Sequence, residues 1–145
     1  MKNLVKVQIL LYRSPQKPEF LLLKTTRPPF IWQGITGGVE ETDASLQDAA
    51  IRELDEELGI KTTEDTIVGP IHSFEFPTDR KGFEGTIAKE YCFAYEVQPE
   101  YEIRLSAEHS EYQWLPFKKA VELIDYDTPK LVMRKVVKLL RSKEI

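Results

Sequence analysis

The sequence predicts an α/β domain, with a mixed β-sheet and helices packed on both of its faces. Three observations predict it. Apolar runs of strand length recur along the chain, amphipathic stretches of helix length are interspersed among them, and 145 residues are enough to bury one core. Hydrophobic residues make up 41% and charged residues 30%, the balance of a folded chain and not a disordered one. We therefore expect one domain spanning residues 1–145.

Residues 1–3 lead straight into residues 4–12, a run rich in Val, Ile and Leu that reads as a buried strand. Ser14-Pro15-Gln16-Lys17-Pro18 is a turn, and residues 20–25 form a second strand, so the first two strands make a hairpin. Arg27-Pro28-Pro29 breaks the pattern, and residues 30–36 are a short apolar, aromatic run that Gly37-Gly38 ends. Residues 45–58 form the clearest helix. Leu46, Ala50, Leu54 and Leu58 recur at i+4, with Ala49 beside them, as one apolar stripe. Ser45 followed by Asp48 resembles a capping box, and Gly59 with Ile60 behind it supplies a C-terminal cap and its hydrophobic contact.

Strand-like runs return at residues 66–76, 86–97 and 112–115, the first two separated by a polar loop at 77–85. Residues 117–124 read as a short helix. Thr128-Pro129 reads as an N-cap and first helical residue, opening a helix that continues to Arg141.

Twenty Lys+Arg stand against 24 Asp+Glu, a net charge of −4 with a pI near 5.3. This balance disfavours a general nucleic-acid binder, which carries a basic excess. It leaves room for a small anionic substrate held through a cation. Cys92 is the sole cysteine, which excludes an internal disulfide, and it reads as a small buried hydrophobe. No signal-like segment and no apolar run approaching ~18 residues occurs, so no membrane span and a cytoplasmic location are expected.

The chemistry concentrates in Arg52-Glu53-Leu54-Asp55-Glu56-Glu57-Leu58-Gly59-Ile60. At ~100° per residue, Glu56 lies about 60° to one side of Glu53 and Glu57 about 40° to the other. The three carboxylates share one arc, flanked by Leu54 and Leu58, which pin it to the domain body. Two carboxylates ~6 Å apart repel by roughly 3 kcal/mol at an effective dielectric of ~20. Arg52 can pair with Glu56 at i+4, but one arginine does not neutralise three carboxylates. A hard divalent cation does, and oxygen-rich sites of this kind suit Mg²⁺, with Mn²⁺ as an alternative. Upstream, Gly37-Gly38-Val39-Glu40-Glu41 is a glycine-led loop whose backbone can approach a phosphate or metal closely. An anion loop beside an acidic, metal-binding face is what metal-assisted attack on a phosphate ester requires.

At these residues the sequence resembles the Nudix hydrolase family. Arg52 through Ile60 fits the second half of the family box at every specified position. The first half departs from it: counted forward from Gly37 the first acid is Asp43, whereas counted back from Arg52 the position is Ala44, so the loop carries one extra residue. The likeness extends outside the box. Trp32-Gln33-Gly34-Ile35-Thr36-Gly37 and the downstream Glu108-His109…Trp114-Leu115 are similar to segments of the dihydroneopterin triphosphate and dATP pyrophosphohydrolase branch.

The resemblance implies an α/β/α sandwich around a mixed sheet and hydrolysis of a nucleoside diphosphate linked to a further group. It implies that Glu53, Glu56, Glu57 and Glu108 hold Mg²⁺ with the backbone of Gly37, and that Arg52 orients the glutamates. Either Glu57 or Glu108 would be the general base, and the choice stays open. Lys24, Trp32, Gln33 and Gly38 are candidates for substrate contact, and Glu90 for an outer metal ligand. Tyr91, Trp114, His72 and His109 read as structural.

A nucleoside or pterin triphosphate is the expected substrate. Diadenosine polyphosphates and ADP-ribose, the latter suggested by Pro77, are the alternatives. A non-catalytic ligand sensor would be expected to lack box glutamates, and this chain has all three. Nucleic acid is disfavoured as a partner by the acidic pI, and a homodimer is left open.

Overall fold

The computed structural model describes residues 4–78 and 81–142. Residues 1–3 and positions 79 and 80 of the expected 77–85 loop lie outside the described residues. The chain forms β1 (Leu4–Arg13), β2 (Glu19–Thr25), β3 (Trp32–Gln33), β4 (Ile35–Gly38), α1 (Leu46–Leu58), β5 (Val68–Pro77), β6 (Ile87–Glu96), β7 (His109–Pro116), α2 (Phe117–Leu123) and α3 (Asp127–Ser142). All the strands join one mixed sheet. Its central path runs β3-β2-β1-β6-β5, with β4 added to β1 and β7 added to β2. Among the described residues, β1 and β6 are the one parallel pair, in register from Leu4↔Ala88 to Tyr12↔Glu96. This is the α/β, mixed-sheet fold class that the sequence predicts.

Strand β1 is buried on both faces, which explains its nearly continuous apolar run. Val7, Ile9 and Leu11 meet Ala50, Leu54 and Leu58 of α1 on one side. Leu10 and Tyr12 meet Val132, Met133 and Val136 of α3 on the other. Cys92 points into this second cluster, where burial pushes its thiol up to about 12. The thiol is therefore inert at neutral pH, consistent with a packing role.

Helix α1 is capped as its sequence predicts. The Ser45 hydroxyl accepts the Asp48 N–H at 3.0 Å. Gly59 takes φ 69°, and the Gly59 and Ile60 N–H groups bond to the Asp55 and Leu54 carbonyls at 2.8 and 3.2 Å.

Three sequence expectations need correction. The single run expected at 30–36 divides at Gly34 into β3, which pairs with β2, and β4, which pairs with β1. A Cβ at Gly34 would lie 2.5 Å from the Ile9 carbonyl oxygen, so only glycine lets the chain pass β1 this closely. Gly37-Gly38 does not form a loop either. Both residues belong to β4, opposite Val7 and Lys6. Helix α3 begins at Asp127, ahead of the expected Thr128 cap, and Pro129 lies in its first turn, where no intrahelical N–H partner is needed. In addition, β7 extends back to His109, because its backbone follows β2 past an irregularity at Lys24/Thr25.

Candidate active site

The pleat of β1 and β4 aims one face of the sheet at α1. On that face the Glu53 carboxyl lies against Gly37, where an added Cβ would come within 2.1 Å of its carboxyl atoms. The glycine therefore makes room for a carboxylate at this position and supplies no turn. Glu53 and Glu57, one helical turn apart, are each only 6% exposed. Burial pushes Glu53 up to about 7 against the opposing pull of Arg52, and burial raises Glu57 as well. Glu56, on the outer side of the arc, remains exposed.

Arg52 organises one half of the cluster. Its Nε and Nη2 grip Asp43 bidentately at 3.0 and 2.9 Å, and Nη2 also donates to the Gly38 carbonyl at 2.7 Å. Nη1 reaches Glu53 Oε1 at 3.0 Å and both Glu56 oxygens at 3.2 Å, the i+4 pair expected from the sequence. These partners hold the guanidinium well above its ordinary pKa. The extra loop residue now has a physical account. Asp43 is an anchor for Arg52, held below the usual carboxylate range by that hydrogen bond, and its Oδ2 also accepts the Glu40 N–H at 2.8 Å.

The other half comes from distant chain. The Ser106 hydroxyl donates to Glu57 Oε2 at 2.7 Å. The Ser106 N–H bonds to the Glu57 carbonyl, tying the 97–108 segment to the helix. Glu108 is exposed beside Glu57, and its negative charge adds to the raised Glu57 pKa. Its backbone is fixed by Thr26, whose N–H donates to the Glu108 carbonyl at 3.0 Å. His109 is only 5% exposed, with Nδ1 3.4 Å from Glu57 Oε2 and Nε2 3.2 Å from the Gln33 amide nitrogen. A cavity of ≈260 Å³ opens next to Glu108, lined by Thr25, Thr26, Arg27, Pro28, Pro29 and Ile31.

The remaining candidates separate by sheet face. Gln33 pairs with Leu23 and lies on the α1 face with the carboxylates. Trp32 packs with the α3-side cluster, its backbone N–H donating to Asp125 Oδ2 at 2.8 Å. Lys24 lies across from Trp32, its Nζ 6.0 Å from the indole ring centre and 3.5 Å from Glu111. Glu90 is on the α3 side too, bonded to Gln8 at 2.7 Å, so the sheet separates it from Glu53 and it is no outer ligand of that cluster. His72 bonds to Lys135 on the same side. Ser106 had no sequence signal beyond standing two residues before Glu108.

Among the described residues, no three His, Cys, Asp or Glu side chains are gathered into a closed cation cage. Arg52 draws Glu53 and Glu56 one way, and Ser106 holds Glu57 the other. The donor set nevertheless fits Mg²⁺, which takes hard oxygens and usually binds through one or two carboxylates plus substrate phosphates. Two buried carboxyls with raised pKa values and a glycine cradle at one of them are what such an ion would relieve.

Residues 2–138 match the family model described as NUDIX domain. The chain belongs to the Nudix family. It is a Nudix hydrolase, a class that generally uses divalent metal ions and acts on small nucleotide substrates. It is 33% identical over 129 residues to a dihydroneopterin triphosphate diphosphatase of Haemophilus influenzae, covering 84% of this chain and 80% of that one. It is also 33% identical over 116 residues to an asymmetrical bis(5'-nucleosyl)-tetraphosphatase of Sus scrofa, covering 80% and 76%. The structure of the Escherichia coli dihydroneopterin triphosphate pyrophosphohydrolase superposes with a TM-score of 0.77 at 25% identity, covering 93% of this chain and 95% of that one. Among the described residues, no helix is long and apolar enough to cross a membrane.

Proposed function

We infer that this Nudix hydrolase is a pyrophosphohydrolase. It cleaves a nucleoside or pterin triphosphate, of dNTP or dihydroneopterin triphosphate type, to the monophosphate and pyrophosphate. The observation that carries the reading is the buried Glu53–Glu57 pair, with Glu53 set against Gly37 and bonded to Arg52 and Glu57 bonded to Ser106. Mg²⁺ or Mn²⁺ would be held by Glu53, Glu56, Glu57 and Glu108 with the Gly37 backbone. Bound there, it would offset polyphosphate charge and acidify the attacking water.

The protein's own part is positional and acid–base. Arg52, fixed by Asp43, holds Glu53 and Glu56 in place. Ser106 holds Glu57. Water oxygen forms the new P–O bond, the anhydride P–O bond breaks towards pyrophosphate, and the water proton passes to Glu57 or Glu108. Burial favours Glu57 as acceptor because it raises that carboxyl's basicity, whereas exposure favours Glu108 for access to substrate. Gln33 has the support of lying on the carboxylate face, and the cavity beside Glu108 has the size of a small heterocycle's pocket. Lys24 and Trp32 face the α3 side, and Gly38 is engaged with Arg52.

A second reading, hydrolysis of diadenosine polyphosphates, is favoured by the 33% identity to the porcine tetraphosphatase. A Mg²⁺-dependent panel of dihydroneopterin triphosphate, dNTPs, diadenosine tetraphosphate and ADP-ribose decides between them when products are identified. The proposal expects pyrophosphate plus a monophosphate from the first two. Preferential cleavage of diadenosine tetraphosphate or ADP-ribose overturns the substrate assignment. Glu56→Gln should abolish turnover, and survival at the wild-type rate would overturn the catalytic reading of the cluster.

A further inference from the structure

We propose that His109 is a positioning residue for Glu57, and that Gln33 sets which ring nitrogen of His109 carries the proton. The proposal rests on the reading of Glu57 as a working carboxylate of the site. Three facts of geometry carry it. His109 is buried, its Nε2 lies 3.2 Å from the Gln33 amide nitrogen, and its Nδ1 faces Glu57 Oε2 at 3.4 Å. Nδ1 is also a buried polar atom with no hydrogen-bond partner.

An amide N–H can only donate, so Nε2 must accept and the proton of the neutral ring resides on Nδ1. That N–H then points towards a carboxylate, which is attractive. Turning the Gln33 amide over would reverse the arrangement. The proton would move to Nε2, and the Nδ1 lone pair would be buried against the Glu57 carboxylate, which is repulsive. With Nε2 accepting from Gln33, the ring carries a single proton and is neutral. Ser106 already donates to the same carboxylate oxygen at 2.7 Å. The Ser106 hydrogen bond turns the Glu57 carboxyl, and the Nδ1–H facing it across 3.4 Å adds an attraction that favours the same orientation.

The arrangement also explains why Gln33 is on this face. It reaches from β3 across β2 to His109 on β7, linking the two strands that flank the end of β2. Gln33, at a position expected from the sequence to touch substrate, therefore has a structural bond that the sequence does not show.

The test uses metal-free protein carrying ¹⁵N-labelled histidine, with His72→Gln removing the only other histidine signal. The proposal expects a neutral His109 ring protonated on Nδ1, and a measurable rise in the Nε2-protonated fraction in Gln33→Leu, where the Glu57 carboxylate still favours the Nδ1–H form. A ring protonated on Nε2 in the parent protein, or an unchanged ring in Gln33→Leu, overturns it. This readout needs neither substrate nor metal, so it stands apart from the functional reading. A Mn²⁺ titration supplies the second arm. His109→Leu should weaken Mn²⁺ binding roughly 10–100-fold, the usual range for an outer-shell loss. His109→Asn, which keeps an N–H near the Nδ1 position, should restore most of it. Equal affinities in His109→Leu and the parent overturn the positioning role, whereas failure of the parent to bind Mn²⁺ overturns the reading of the site and not the tautomer assignment.

Discussion

Glu53 and Glu57 lie one turn apart on α1 and are equally buried, yet their partners differ in kind. Glu53 belongs to an ionic knot in which Arg52 is shared with Asp43, Glu40 and Glu56. Glu57 is held by a neutral group, the Ser106 hydroxyl, with the His109 ring facing it at 3.4 Å. The ionic half is built from near neighbours in sequence and the neutral half from chain 49 residues away. A cation arriving at the site therefore competes with Arg52 for one carboxylate but meets no competing charge at the other. On the proposed reading Glu57 would be the readier ligand, and Glu53 the one whose release from Arg52 would cost most.

The largest break in this comparison is Glu53→Gln or Glu57→Gln. Either should lower kcat by roughly 10²–10⁴-fold, the loss of a few kcal/mol of transition-state stabilisation, as read by pyrophosphate release. Glu53→Gln also has a stability signature. The carboxyl's ordinary value is 4.5 and its folded value about 7. Below pH 4.5 it is neutral folded or unfolded and contributes nothing. Between pH 4.5 and about 7 the unfolded state ionises while the buried carboxyl of the folded state keeps its proton, so stability falls across that window and levels off above it. Metal-free Glu53→Gln should thus match the wild type at pH 4 and exceed it by about 1–3 kcal/mol at pH 8. Excess Mg²⁺ should reverse that order, because the ion stabilises only the site that binds it. Denaturant titrations with and without the ion check both statements.

Gly37→Ala sharpens the role of the cradle. The atoms nearest the new Cβ are the end of the Glu53 side chain, so the fold should survive while the carboxyl is displaced. A loss of roughly 10–100-fold in kcat with little change in Tm is expected. Gly34→Ala is the contrasting control. Its Cβ would meet the Ile9 backbone, and destabilisation of about 1–3 kcal/mol should dominate. Asp43→Ala frees Arg52 from its bidentate anchor, with an expected activity loss of roughly 10-fold. Ser106→Ala should be the mildest, about 0.5–1.5 kcal/mol in the activation barrier, because it removes one hydrogen bond.

Local features of the chain were legible in the sequence. The caps of α1, the Arg52–Glu56 pair and the arc of carboxylates follow from helical spacing and side-chain chemistry alone. The family box could be read for the same reason. What spacing does not contain is which strand a short segment joins. Residues 30–36 divide because Gly34 passes the Ile9 carbonyl, a contact invisible along the chain. Within β3 the pleat turns Trp32, and Lys24 opposite it, to the other face from Gln33, although all three read as candidates for substrate contact. Ser106 and His109 were illegible as partners of Glu57 because their contact is made only when β7 pairs with β2. Asp43 is intermediate. Its position offset left its role open, and the bidentate bond to Arg52 shows that the loop absorbs one residue without losing an acid.

The central claim is that the buried carboxylates of α1 form a divalent-cation site. The most direct test is a Mn²⁺ titration at pH 8 of the wild type, Glu53→Gln and Glu57→Gln, followed by paramagnetic resonance of the free ion. The account predicts saturable binding by the wild type, weakened at least about 10-fold in each variant. Wild-type protein that leaves Mn²⁺ free, or variants that bind it as tightly as the parent, would contradict it.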